Sequence, residues 1–217
     1  MPRTKIDSSR IKGIYDELSP SYDRREALLD LFFIKRHRKA IFSQARGRVL
    51  EVGVGTGKNF RYYSHKCEIT GIDLSPGMLQ IAEKRSTRLD QAIHLQVMDA
   101  HELQFADRSF DTVTSSLTLC TLVDPILALS EMARVVRSNG TILLLEHGRS
   151  QHRMLSRWLD WLAPHYVENY GCHPNRNILS LVQAANLQIL DVRRFLFGIL
   201  YAIECKPQRR AKALRRL

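Results

Sequence analysis

Residues Arg48–Gly57 read RVLEVGVGTG, and the fold follows from how this stretch divides. Val49, Leu50 and Val52 form a short apolar run, long enough for one buried strand. Gly53, Gly55 and Gly57 follow at alternate positions, where the chain can turn sharply and a ligand can approach bare backbone. A second run, EITGID, ends on Asp73. A glycine loop after one strand and a carboxylate after the next is how an α/β sheet holds a nucleoside. The glycines lie against the ligand and the acid takes the ribose hydroxyls.

Spacing separates two ligand classes. A dinucleotide site needs a small residue at position 58, where this chain has Lys58. The pattern GxGxG preceded by the acid Glu51 resembles the first motif of the Rossmann-like (class I) S-adenosylmethionine-dependent methyltransferases. The resemblance continues along the chain. Asp73 matches the family's ribose-binding acid. Asp99-Ala100, after the strand HLQVM, matches its adenine-side pair. SFDTVTSSLTL and LALSEMARVVRSNGTILLLEHG match the fourth strand and the helix, turn and fifth strand beyond it. It implies a mostly parallel seven-stranded sheet with helices on both faces and an N-terminal helical extension.

At 217 residues the chain has core enough for one such domain. Its 44% hydrophobic content suits a globular protein, and no apolar run is long enough to span a bilayer. MPRTKIDSSR lacks the apolar stretch of a secretory signal. Cys67, Cys120, Cys172 and Cys205 are scattered with no CxxC pair, which predicts reduced thiols and no metal site. The expected setting is cytoplasmic, peripheral at the inner membrane face if the acceptor is a lipid. The formal charge of +11 reads either as solubility or as attraction to an anionic partner. Its clusters are Lys35–Lys39 and the tail QRRAKALRRL.

Three segments follow: an N-terminal helical lid over 1–46, a methyltransferase domain over 47–207, and a basic tail over 208–217. Ser9 is the expected cap of a first helix, broken at Ser19-Pro20. A second helix is expected from about Arg24 to Ala45. Ser75-Pro76 opens another helix, and Asn139-Gly140 is the expected turn before the fifth strand. LQILDVRRFL and ILYAIECK read as closing strands.

In the resemblance, backbone at Gly53, Gly55 and Gly57 meets the methionine part of the cofactor, and Glu51 counts among the cofactor-binding residues. Leu74 and Met78 flank the adenine, Asp99 accepts from its amino group, and Ser116 lies where the family lines the ligand. Tyr15 to Asp23, YDELSPSYD, resembles the YD…YD segment of quinone C-methyltransferases and bacterial phospholipid N-methyltransferases, whose tyrosines fold over the cofactor. Tyr15 and Tyr22 are therefore expected lid residues.

His147 ends the fifth strand at the ligand-binding edge, as a general base or as a structural strand cap. Tyr15 or Tyr22 could bond to it, resembling the Tyr–His pairs of phosphobase methyltransferases. His173 and Arg176, in a Gly/Pro loop, read as head-group contacts or as part of a solvated loop. ALLDLFFIKRHRKAIF and RMLSRWLDWLAP can pack on the sheet or touch a membrane.

The function expected is methyl transfer to a small molecule or lipid, first an amino head group such as phosphatidylethanolamine. A quinone carbon or a small thiol is the alternative. An RNA acceptor is disfavoured because Ser115-Ser116-Leu117-Thr118 stands where the Asn/Asp-Pro-Pro-aromatic motif would be. A non-catalytic binding protein is disfavoured by the intact glycines and Asp73.

Overall fold

The computed structural model describes residues 7–208, so the basic run Arg209–Arg216 lies outside the described residues. Seven strands form one sheet: β1 (Arg48–Val52), β2 (Glu68–Asp73), β3 (Ile93–Val97), β4 (Phe110–Ser116), β5 (Val136–His147), β6 (Leu187–Phe195) and β7 (Leu200–Pro207). Their order is β3-β2-β1-β4-β5-β7-β6. The first five pair in parallel, with Val52 opposite both Ile72 and Ser115, and β7 runs antiparallel to β5 and β6.

The helices are α1 (Ser8–Leu29), α2 (Lys35–Phe42), α3 (Pro76–Ser86), α4 (Pro125–Val135), α5 (Arg153–Tyr170) and α6 (Ile178–Ala184). Strand alternation splits the core in two. Leu50, Val52, Val113 and Ile142 pack on one face against Leu129 and Met132 of α4 and Val182 of α6. Val49, Ile69, Leu143 and Leu145 pack on the other against Ile41 and Phe42 of α2 and Leu79 of α3. No helix among the described residues is long and apolar enough to cross a membrane.

The N-terminal segment departs from expectation. Asp7, not Ser9, caps α1, its carboxylate accepting from Arg10 N at 2.8 Å. The helix runs through Pro20 without a break. Proline leaves the Asp16 carbonyl without its helical donor, and Ser19 Oγ supplies one at 2.9 Å. The expected second helix is the end of α1, a π turn over Asp30–Ile34, and α2. Asn139-Gly140 falls inside β5, where the register against β4 shifts between Phe110 and Thr112 and absorbs the turn.

The basic run also divides. Lys35, Arg36 and Lys39 are exposed, while His37 and Arg38 are buried. His37 stacks on Phe195, with ring centroids 3.7 Å apart.

Candidate active site

Strand order reverses on either side of β1, so the loops after β1 and β4 diverge and open a crevice beyond the sheet's carboxyl edge. A cleft of about 940 Å³, open mouth included, lies there. Gly53, Gly55, Asp73, Leu74 and Met78 line it from β1, β2 and α3. Asp99, Ala100 and Ser116 line it from β3 and β4, and Tyr15 and Tyr22 from α1. Glu51, Gly57, His147, His173 and Arg176 do not line it.

Gly55 shapes the inner wall. Its φ of +55° is left-handed, and a Cβ there would meet nothing within 4 Å, so bare backbone faces open cleft. Asp73 fixes this loop: Oδ2 accepts from Gly55 N at 2.8 Å and Oδ1 from Ser75 N at 2.9 Å. Burial pushes the Asp73 carboxyl up, and those amide bonds oppose the shift. The donor set fits a nucleoside with an amino-acid arm: a carboxylate at the end of β2, open glycine backbone, and apolar Leu74 and Met78 between.

Glu51 supports the loop from below. It is buried and accepts from Asn59 Nδ2 at 2.6 Å and Tyr63 OH at 3.0 Å. Burial pushes its carboxyl up to about 7. Gly57 is a packing position, since a Cβ there would overlap the Phe60 ring. Asp99 Oδ1 accepts from His101 N at 2.9 Å and from the His101 ring. His101 Nε2 in turn accepts from Asp124 N at 3.1 Å, which leaves Nδ1 as the donor to Asp99. Burial raises the Asp99 carboxyl, but the His101 bonds outweigh it and hold the group below its ordinary value.

Arg38 reads in sequence as one cation in a basic run, yet it is 6% exposed and lines the cleft. Nη1 donates to Asn59 Oδ1 at 2.7 Å and Ser116 Oγ at 2.6 Å, and Nε donates to Asp30 Oδ1 at 2.9 Å. The π turn adds one residue between Asp30 and α2, closing on Lys35 N to Asp30 O. Helical spacing carried the signal: Ile34, Arg38, Ile41 and Phe42 share the buried stripe.

The YDELSPSYD segment divides its labour. Its two tyrosine rings wall the cleft, 6.3 Å apart and tilted. Burial raises both phenols, so they stay protonated. Its aspartates clip α1 down. Asp16 Oδ1 accepts from Ser75 Oγ at 2.6 Å and Gly77 N at 3.0 Å, at the start of α3. Asp23 takes Thr56 of the glycine loop and Arg85 of α3.

Beyond the cleft lies a second cluster. Glu146 is buried and accepts from Ser115 Oγ at 3.0 Å and Leu119 N at 3.1 Å, tying β5 to the loop after β4. Burial pushes it up to about 7. His147 Nε2 faces Cys172 Sγ at 3.4 Å, and no hydrogen bond joins it to Tyr15 or Tyr22. Cys120 completes the group. The Cys120 thiol, then His147, hold Cys172 below its ordinary value, while Cys120 is raised. Arg176 Nη1 donates to Leu119 O, and His173 N donates to Cys120 O at 2.8 Å. His173 and Arg176 thus brace this cluster, and the scattered cysteine spacing gave no sign of it.

A family model described as a methyltransferase domain matches residues 50–144. The phosphatidylethanolamine N-methyltransferase of Cereibacter sphaeroides is 42% identical over 140 residues, 61% of this chain and 68% of that protein. The ubiquinone/menaquinone biosynthesis C-methyltransferase of Citrifermentans bemidjiense is 35% identical over 147 residues, 63% of each. The chain therefore spans about two thirds of the length of these relatives. A solved S-adenosylmethionine-dependent methyltransferase of Thermotoga maritima shares the fold, with a TM-score of 0.66 at 22% identity over 91% of this chain and all of that one.

Proposed function

This chain belongs to the S-adenosylmethionine-dependent methyltransferases, and from that premise we propose that it methylates an amino head group of a membrane lipid, phosphatidylethanolamine first. The observation that carries this reading is a set of exposed apolar side chains on the lid helix and on α5. Leu28 at the end of α1 and Leu31 and Phe32 in the π turn stand out, with Phe32 65% exposed. Trp158 and Trp161 stand out on α5, with Trp161 75% exposed, beside exposed Arg153 and Arg157. The β6–β7 segment contacts both α2 and the start of α5. Phe195 stacks on His37 of α2, and Phe197, 77% exposed, meets His152 at the start of α5. Exposed tryptophan, phenylalanine and cations suit the boundary of an anionic bilayer. The similarity to a phosphatidylethanolamine N-methyltransferase supports the same acceptor.

The cofactor, when bound, supplies a sulfonium methyl group that is electrophilic without help from the protein. The residues of the cleft bind and align it. Asp73 would accept from the ribose hydroxyls. Asp99, set by His101, would face the adenine edge between Leu74, Met78 and Ala100. Gly53 and Gly55 would lie along the methionine arm, with Arg38 as the cation for its carboxylate and Ser116 beside it. Tyr15 and Tyr22 would close over the reacting centre and exclude water.

A neutral amine attacks without a base, so the mechanism leaves out the proton-accepting role expected of His147, whose Nε2 faces Cys172. His173 and Arg176, expected on the head group, serve as braces in this reading. A quinone carbon is the second acceptor, supported by the similarity to quinone C-methyltransferases. Labelled-methyl transfer to phosphatidylethanolamine vesicles, a demethylated quinone, small thiols and RNA separates these. Label in the lipid amine is expected. Label in the quinone alone, or in thiol or RNA, rejects the lipid reading.

A further inference from the structure

Cys120, His147 and Cys172 come from three separate places: the loop after β4, the last residue of β5, and the loop after α5. Their Sγ, Nε2 or Nδ1, and Sγ atoms lie within 4.8 Å of one another. The cleft wall does not include them, so cofactor binding gives them no task. We propose that these three residues form a metal site for a thiophilic divalent cation, Zn²⁺, with a fourth position left open.

Geometry supports this first. Tetrahedral zinc, with Zn–S of about 2.3 Å and Zn–N of about 2.0–2.1 Å, sets sulfur and nitrogen about 3.5 Å apart. His147 Nε2 and Cys172 Sγ stand 3.4 Å apart. The backbone already holds the cradle. His173 N donates to Cys120 O at 2.8 Å, joining the two cysteine loops. Gly171, left-handed at φ +62°, ends α5 and turns the chain so that Cys172 N returns to Tyr166 O. A Cβ at Gly171 would overlap Ile11, so α1 packs directly over this turn.

Chemistry supports it next. Two thiolates and an imidazole are soft donors that select zinc over magnesium or calcium. Their two negative charges cancel the dication, so the cluster would be neutral in a largely buried place. Three protein ligands with one open position is the pattern of reactive rather than closed structural zinc. Among the described residues no other group of three or more such ligands converges. The metal would tie the loop after β4 to the ends of β5 and α5, beside the methyl-transfer cleft. It would also occupy the one His147 nitrogen that faces Cys172.

Zinc uptake by the full chain tests the site without donor or acceptor, so its outcome is independent of the lipid reading. The reduced protein is loaded with zinc and passed through gel filtration. One equivalent per chain is expected, with two sulfur and one nitrogen ligands by X-ray absorption. Cobalt in place of zinc should give a thiolate charge-transfer band. Cys120→Ser, Cys172→Ser and His147→Ala should each weaken binding by more than about a hundredfold, since changing even a group that only hydrogen-bonds to a ligand costs roughly 10–100-fold. His94→Ala, on an exposed strand position, should leave it unchanged. Circular dichroism confirms that each variant is folded. Absence of bound zinc in folded wild type, or equal retention by the Cys120→Ser/Cys172→Ser protein, overturns the proposal.

Discussion

Asp23 accepts a hydrogen bond from Thr56 Oγ1 at 2.8 Å, joining the end of the lid segment to the glycine loop. The same carboxylate meets Arg85 of α3 and lies 3.6 Å from Lys58 Nζ. It is therefore the point at which α1, α3 and the cofactor loop meet. Those donors hold its carboxyl below the ordinary value against the opposing pull of burial. Asp23→Ala should loosen the lid and the loop together. We expect cofactor affinity to fall by roughly tenfold, the scale of one lost charge-assisted bond. Hydrogen exchange in α1 should quicken in the same variant. Unchanged affinity and exchange by calorimetry and mass spectrometry would mean that the clip is ornamental.

Asp73→Ala should weaken S-adenosylmethionine binding by about tenfold to a hundredfold, because it removes the ribose acceptor and frees Gly55 N. Gly55→Val should do at least as much, by placing a side chain where the backbone faces open cleft. Calorimetry on folded variants decides. Wild-type affinity in both would refute the assignment of the cleft.

Arg38→Met keeps the length of the side chain and removes the cation that links Asp30, Asn59 and Ser116. Three acceptors then lose their donor, so the variant should lose stability as well as cofactor affinity. Arg38→Lys should recover little of either, since an ammonium cannot span the fork. A product analogue lacking the amino-acid carboxylate should bind both proteins alike. If Arg38→Met instead discriminates against that analogue as strongly as wild type does, Arg38 does not meet the carboxylate.

Val49 to Val52 was legible as a short apolar run ending on glycine, Glu68 to Asp73 as the next strand ending on an acid, and Phe110 to Ser116 through the family resemblance. The residues proposed to hold the cofactor were assigned through the family resemblance, and Gly53, Gly55, Asp73 and Asp99 do line one cleft at the carboxyl edge of the sheet. Arg38 was not, because its charge masks its place on a buried helical stripe. The continuity of α1 through Pro20 was not, because a serine hydroxyl one residue earlier fills the missing bond. Cys120, His147 and Cys172 converge only through sheet order, which local spacing cannot show.

Glu51 gives a pH signature. Burial lifts its carboxyl from an ordinary 4.5 to about 7. The folded state therefore binds a proton that the unfolded state releases between those values. Stability falls as pH rises through that window, by about 3 kcal/mol at most from this group. Glu51→Gln cannot ionise, and its amide can still meet Asn59 and Tyr63. Its stability should decline less than that of wild type between pH 5 and 8. Glu146, lifted for the same cause, leaves a residual slope in both. Parallel denaturation profiles for the two proteins would remove Glu51 as the source.

Docking to a membrane should follow two separable forces. Lys35, Arg36 and Lys39 are exposed beside the apolar end of α1, and Arg153 and Arg157 flank the tryptophans of α5. Each basic residue near an anionic surface contributes about 1 kcal/mol. Reversing Lys35, Arg36 and Lys39 to Glu should therefore lower binding to anionic vesicles by at least on the order of a hundredfold. Screening acts over about 10 Å at 0.1 M salt, so wild-type binding should fall as salt rises. Trp158→Ala with Trp161→Ala removes apolar insertion instead, and should lower binding at every salt level while leaving the salt trend intact. Phe197→Ala should act in the same direction, because its ring is 77% exposed beside His152 at the start of α5. Co-sedimentation with anionic and neutral vesicles at two salt levels reads both forces. Protein that stays in the supernatant with anionic vesicles at low salt would remove the support for a lipid acceptor and favour a soluble one.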